Sequence, residues 1–74
     1  MEITEFIKLF ADAIEVETPE DLSPDTVFKD LDEWSSISVM LTVAFFDEEF
    51  DKEITEKEIR MASTIKDLYG IVTA

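Results

Sequence analysis

Two serines, Ser35 and Ser36, stand at a seam where the acidic stretch "DLDEW" gives way to "SSISVMLTVAFF". Residues 34–46 carry no charge at all, although acid crowds both sides of them. A hydroxyl at such a seam can act as nucleophile, cap or attachment point. The chain has no histidine and no cysteine, so no Ser–His or Cys–His arrangement exists to activate it. One serine of the pair is well suited to cap a following helix. The other is placed to carry a phosphate, because the free amides and positive dipole end of a helix N-terminus stabilise an anion. Another enzyme must install any such group.

The elements that position these serines read as helices. There is one glycine in 74 residues and no alternating β-branched run, which argues against strands. Ile3, Phe6, Ile7, Phe10 and Ile14 recur at helical spacing with charged residues between them, predicting a first helix that ends near Val16. Residues 17–35 are the longest irregular segment. Thr18-Pro19 and Ser23-Pro24 each pair a capping residue with a proline, which predicts short helical turns inside it. Leu22, Val27, Phe28 and Leu31 are its expected apolar pins to the core. A second helix follows from about Ser36 to Phe50. A short third begins at Thr55, with Glu58 completing a capping box, and a fourth begins at Thr64 with Asp67 in a similar place. Three longer helices and one short third helix, with a long loop between helices I and II, predict a small all-α four-helix bundle made of one domain, residues 1–74.

On a helical wheel the second helix divides its apolar residues. Val39, Val43, Phe46 and Phe50 form one stripe, read as core, with Phe45 off to one side. Ile37, Met40, Leu41 and Ala44 gather on another face, read as an exposed docking patch; complete burial of the helix is the plainer alternative.

Charge narrows the partners. Nineteen acids against six bases give a net charge of −13, which argues against nucleic acid and anionic membrane and favours basic protein partners. The excess lies in residues 1–51, since 52–74 hold four acids and four bases. At 46% hydrophobic the composition is too apolar for a disordered acidic tail. "MEITEF" has acids where a signal peptide needs bases, and thirteen uncharged residues are too few to span a bilayer. A cytoplasmic protein is expected. No metal site is expected either: "DLDEWSSISVML" starts like a calcium loop, but Ser35 replaces the needed glycine and Leu41 the bidentate glutamate.

At this point a resemblance enters. "TVFKDLDEWSSISVMLTVAFFDEEFDKEI" is similar to the acyl carrier proteins and their peptidyl-carrier relatives. That family has a loop Phe and Leu, then Asp-Ser-Leu, then a helix ending in Glu-Glu-Phe-Asp. The tail "ITEKEIRMASTIKDLYGIV" resembles the family's short third and Thr-initiated fourth helices, so the likeness covers essentially the whole chain. It implies that Ser36 bears a 4'-phosphopantetheine arm whose thiol holds an acyl group as a thioester. It places Ile37, Met40 and Ala44 on partner-docking positions, with Leu41 in the same patch, and Asp47 and Glu48 on acidic partner contacts. Val43, Phe46 and Phe50 fall on core positions that line an acyl pocket. The implied partners are a phosphopantetheinyl transferase and acyl-transferring or acyl-modifying enzymes of fatty-acid, polyketide or specialised biosynthesis, with basic and apolar docking surfaces. The chain itself would be a monomeric carrier, not an enzyme. Three departures stand out: Ser35 takes the place of the motif aspartate, and Ser38 and Leu41 replace residues that are often acidic. The rival reading is a carrier-like interaction module that is never modified.

Overall fold

Helix α1, Ile3–Ala13, follows its periodicity: Phe6, Ile7, Phe10 and Ala11 are buried on one face while Glu5, Lys8 and Asp12 are exposed. The computed structural model describes residues 1–73, so of the expected 1–74 domain only Ala74 falls outside the described residues. Those residues are all-α, with α2 at Ser36–Phe50, α3 at Glu56–Met61 and α4 at Ile65–Thr73. Helix α1 packs on both α2 and α4, and α3 packs on α2.

The first helix stops earlier than expected, at Ala13, because the chain closes it with a Schellman motif. The Val16 N–H reaches the Ala11 carbonyl at 2.8 Å and the Glu15 N–H reaches Asp12 at 3.2 Å. Glu15 occupies the left-handed region (φ 63), where glycine is the usual choice. Val16 is buried and acts as the apolar plug of the motif.

The long connection is held more by its backbone than by its side chains. Pro19–Asp21 forms the 3-10 turn expected after Thr18, whereas Ser23-Pro24 gives only a turn, and a second 3-10 turn falls at Phe28–Asp30. Phe28 is fully buried, and Leu22 and Leu31 are half-buried. Val27, expected as a pin, is instead exposed. Its role is a single antiparallel bridge to Thr64. Beside it, the Ile65 N–H bonds the Thr26 carbonyl (3.1 Å) and the Lys66 N–H bonds the Pro24 carbonyl (2.9 Å). Those two α4 amides belong to the first turn and have no partner within the helix. The loop thus caps α4, and Lys29 Nζ bonds the Arg60 carbonyl at the end of α3.

Both later caps form as read from the sequence. Thr55 Oγ1 accepts the Glu58 N–H (3.1 Å) while the Glu58 carboxylate accepts the Thr55 N–H (3.0 Å). The Asp67 carboxylate accepts the Thr64 and Ser63 N–H groups at 3.0 and 2.9 Å. These bonds, led by that from Thr64, hold the Asp67 pKa below its ordinary 3.8, since they stabilise the ionised form. The cap therefore contributes fully above that pH and fades as the pH falls through the lowered pKa.

The left-handed Glu15 gives a direct check. Glu15→Asn and Glu15→Gln remove the same charge but differ in their tolerance of positive φ. The Asn variant is expected to be more stable by roughly 0.5–1 kcal/mol in urea denaturation; equal stabilities would mean no strain is stored there.

Candidate functional site

The start of α2 is fixed by a buried serine. Ser35 is extended (φ −148, ψ −179) and Ser36 is the first helical residue. Ser38, only 2% exposed, points back into the preceding loop. Its Oγ accepts the Ser35 N–H at 3.0 Å and donates to the Glu33 carbonyl at 3.3 Å. Ser35 and Ser38 face each other in capping-box geometry, and the bond that the Ser35 N–H donates to the Ser38 hydroxyl closes the turn. One turn on, Thr42 is fully buried and donates to the Ser38 carbonyl at 2.8 Å. Three hydrogen bonds in series therefore tie the loop, the cap and the second turn of α2 together.

This corrects the expected core stripe. The buried residues of α2 are Ser38, Thr42, Phe45 and Phe46, spaced i, i+4, i+7 and i+8. Phe45 is core, not lateral. Val39, Val43 and Phe50 are half-buried and pack along the edge of that core. The cause is ring size: Phe45 and Phe46 both reach Phe6, with centroids at 5.8 and 6.3 Å. Where these rings turn inward, the stripe upstream of them falls on two hydroxyl residues. Their small side chains satisfy themselves on nearby carbonyls, as buried polar groups must. The signal was present as Ser38 three residues after Ser35 and Thr42 four after that.

The remaining faces follow from about 100° per residue. Ser36, Met40 and Asp47 share the outward face, about 160° from Ser38. All three are exposed, Met40 at 72%. The Ser36 hydroxyl makes no hydrogen bond among the described residues, and as first-turn amides the Ser36 and Ile37 N–H groups lie beyond reach of the helix's own carbonyls.

To one side of this face an open groove of about 620 Å³ runs between α2 and the approach to α3, lined by Val39, Met40, Val43, Ala44 and Ile54, with Asp47, Glu53 and Glu56 among its carboxylates. To the other side a smaller cleft of about 320 Å³ lies between α1 and α2, lined by Leu9, Ala13, Leu41, Ala44 and Phe45 with Asp12, Glu48 and Glu49.

The docking residues read from sequence are thus divided. Met40, Ala44 and Asp47 border the first groove; Leu41, Ala44 and Glu48 border the second cleft. Ile37, 64% exposed, borders neither, and Leu41 is half-buried rather than open. The residues assigned to an acyl pocket are divided too. Val43 lines the open groove. Phe46 is sealed among aromatic rings, and Phe50 packs on Phe45 and Phe46 at 5.2 and 6.0 Å. A wider recess beyond the end of α1, lined by Lys8, Asp12, Glu15, Val16, Glu17 and Pro19, contains none of these residues.

No protein-family model, curated protein or solved structure matches the chain. No helix among the described residues is long and apolar enough to cross a membrane.

The two faces of α2 should respond differently to truncation. Phe46→Ala is expected to cost about 3–5 kcal/mol by opening a cavity, which approaches the whole stability of a chain this small. Met40→Ala should cost less than roughly 1 kcal/mol, because little of its surface leaves water. Comparable losses in chemical denaturation would mean that Met40 is core.

Proposed function

We propose that this chain is an acyl carrier protein of the four-helix-bundle type, with 4'-phosphopantetheine attached through Ser36. One observation carries the reading: the exposed, unbonded Ser36 hydroxyl heads an outward stripe, Ser36–Met40–Asp47, whose Met40 and Asp47 border a groove with apolar walls. The residues present fit the group. A phosphodiester on Ser36 Oγ would be held by the first-turn amides and the positive end of a fifteen-residue helix. It therefore needs no basic side chain, and residues 34–51 offer none. When bound, the arm supplies a terminal thiol that holds an acyl group as a thioester, chemistry the cysteine-free chain lacks by itself.

The chain's part is to present. With no histidine to deprotonate it, Ser36 relies on a transferase. Its Oγ forms a bond to the β-phosphorus of coenzyme A, the pyrophosphate bridge breaks to release adenosine 3',5'-bisphosphate, and the serine proton leaves to a base on that enzyme. Ser38 holds the cap rigid while this happens. Ile37 and Met40 give a visiting enzyme exposed apolar contact beside the hydroxyl, and Asp47 and Glu48 attract basic groups around it. Further acid on the rest of the surface steers such partners without adding affinity for nucleic acid. On this reading the protein works as a cytoplasmic monomer and leaves catalysis to fatty-acid, polyketide or specialised biosynthetic partners.

Ser35 in place of the motif aspartate favours one competing reading, a carrier-like interaction module that is not modified. Mass spectrometry after incubation with coenzyme A and a broad-specificity transferase decides between them. The intact protein should gain the phosphopantetheine increment, Ser36→Ala should abolish it, and Ser35→Ala should retain it. Ser35→Asp, which restores the acid beside the acceptor, should be modified faster. An adduct on Ser35 would reassign the site. No adduct on any variant, Ser35→Asp included, would overturn the carrier reading and favour the unmodified module.

A further inference from the structure

Two adjacent hydroxyls stand at the start of α2, and exposure does not choose between them, because Ser35 and Ser36 are both exposed. Their backbones differ. Ser35 is extended (φ −148, ψ −179), whereas Ser36 is already helical. Ser38 holds Ser35 in that state twice over. The Ser35 N–H donates to Ser38 Oγ at 3.0 Å, and the Ser35 carbonyl accepts the Ser38 N–H at 3.0 Å. The buried Ser38 hydroxyl also donates to the Glu33 carbonyl at 3.3 Å, so it grips the chain on both sides of Trp34. One turn on, the fully buried Thr42 hydroxyl donates to the Ser38 carbonyl at 2.8 Å. This pattern requires an extended cap residue whose side chain faces the third helical position, and Ser35 faces Ser38 in that way. Ser36, by contrast, lies about 160° around the helix from Ser38. Were Ser35 to turn helical, it would become the first residue of α2. It would then stand to the free amides as Ser36 stands now, and Trp34, a poor cap, would have to close the helix.

Resting on the carrier reading, we infer that Ser38, supported by Thr42, is the positioning residue that selects Ser36 over Ser35 as the acceptor of phosphopantetheine. Its hydroxyl keeps Ser35 outside the helix with the side chain turned toward Ser38, and leaves Ser36 to face solvent beside Ile37 and Met40. A chain with two serines at its attachment point needs such a device, because a transferase acts on the hydroxyl that the cap presents. The two buried hydroxyls of α2 thus do more than satisfy themselves: they decide which neighbour is modified.

The test incubates the protein with coenzyme A and a broad-specificity transferase, follows the rate, and locates the adduct by tandem mass spectrometry. The intact protein should carry it on Ser36 alone. In Ser38→Ala, checked for fold by circular dichroism, kcat for Ser36 should fall about tenfold with KM within about twofold, as for an acceptor that is bound but poorly oriented. Part of the adduct should then appear on Ser35. The sharper arm is a gain: Ser36→Ala should take no adduct, and adding Ser38→Ala should restore one on Ser35. There the Ser35 Oγ bonds the β-phosphorus, adenosine 3',5'-bisphosphate leaves, and the serine proton passes to the transferase. Asp67→Asn, which weakens the cap of α4 instead, should restore nothing in Ser36→Ala. Thr42→Val removes only the supporting hydroxyl and gives an arm that does not depend on Ser38→Ala folding. It should shift the adduct in the same direction, whereas Thr42→Ser should match the intact protein. An adduct confined to Ser36 at unchanged kcat in Ser38→Ala and Thr42→Val, with none in the double variant, would overturn the positioning role and leave the carrier reading intact. No adduct on the intact protein or on any variant would overturn the carrier reading, and this inference with it.

Discussion

Everything in this fold hangs on the ring of Phe6. It lies at the meeting point of α1, α2 and α4, with Phe10 beside it on its own helix, Phe45, Phe46 and Phe50 from α2, and Tyr69 from α4. Most of these contacts are tilted or edge-to-face, the arrangement the ring quadrupole favours. A chain of 74 residues has little interior to bury, and with a net charge of −13 its surface repels itself. Large rings concentrated at one point give the most apolar burial per residue ordered, and that is where this sequence invests its phenylalanines.

The cluster also sets the rotation of α2. Adjacent Phe45 and Phe46 both turn inward, so the residues one and two turns upstream on that face are fixed as Thr42 and Ser38. The Ser38 hydroxyl holds the N-terminus through the Glu33 carbonyl and the Ser35 N–H, and the Thr42 hydroxyl supports it by donating to the Ser38 carbonyl. Ser36 is thereby turned to solvent, with Met40 and Asp47 in line behind it. The candidate site and the packing are two sides of one helix phase: a different inward pair of residues would point a different side chain outward.

Much of this was legible in the sequence, and the reasons differ by element. The face of α1 and the caps at Thr55 and Thr64 depend on local spacing and short-range hydrogen bonds, which a sequence displays directly. The boundaries of α2 came from its serines and its change in charge. What a linear reading missed was long-range. A wheel of hydropathy gave Val39 and Val43 more weight than Thr42, because it cannot know that two rings downstream will find Phe6. Val27 looked like a core residue, yet its backbone pairs with Thr64 and leaves its side chain outside. The early stop of α1 depends on Glu15 accepting a left-handed conformation, which no propensity favours. Around the candidate site, the exposure of Ser36, Met40 and Asp47 was readable, whereas the division of the docking residues between two clefts required knowing where α1 and α3 lie.

The claim that the Phe6 cluster locks α2 in this phase is open to amide hydrogen exchange followed residue by residue. The amides of Thr42, Phe45 and Phe46 should exchange only when the whole molecule unfolds, with a free energy equal to that from denaturation, while those of Ser36 and Ile37 exchange nearly as freely as in an unstructured peptide. Exchange of Thr42, Phe45 and Phe46 through a local opening well below the global free energy, or strong protection at Ser36 and Ile37, would contradict it.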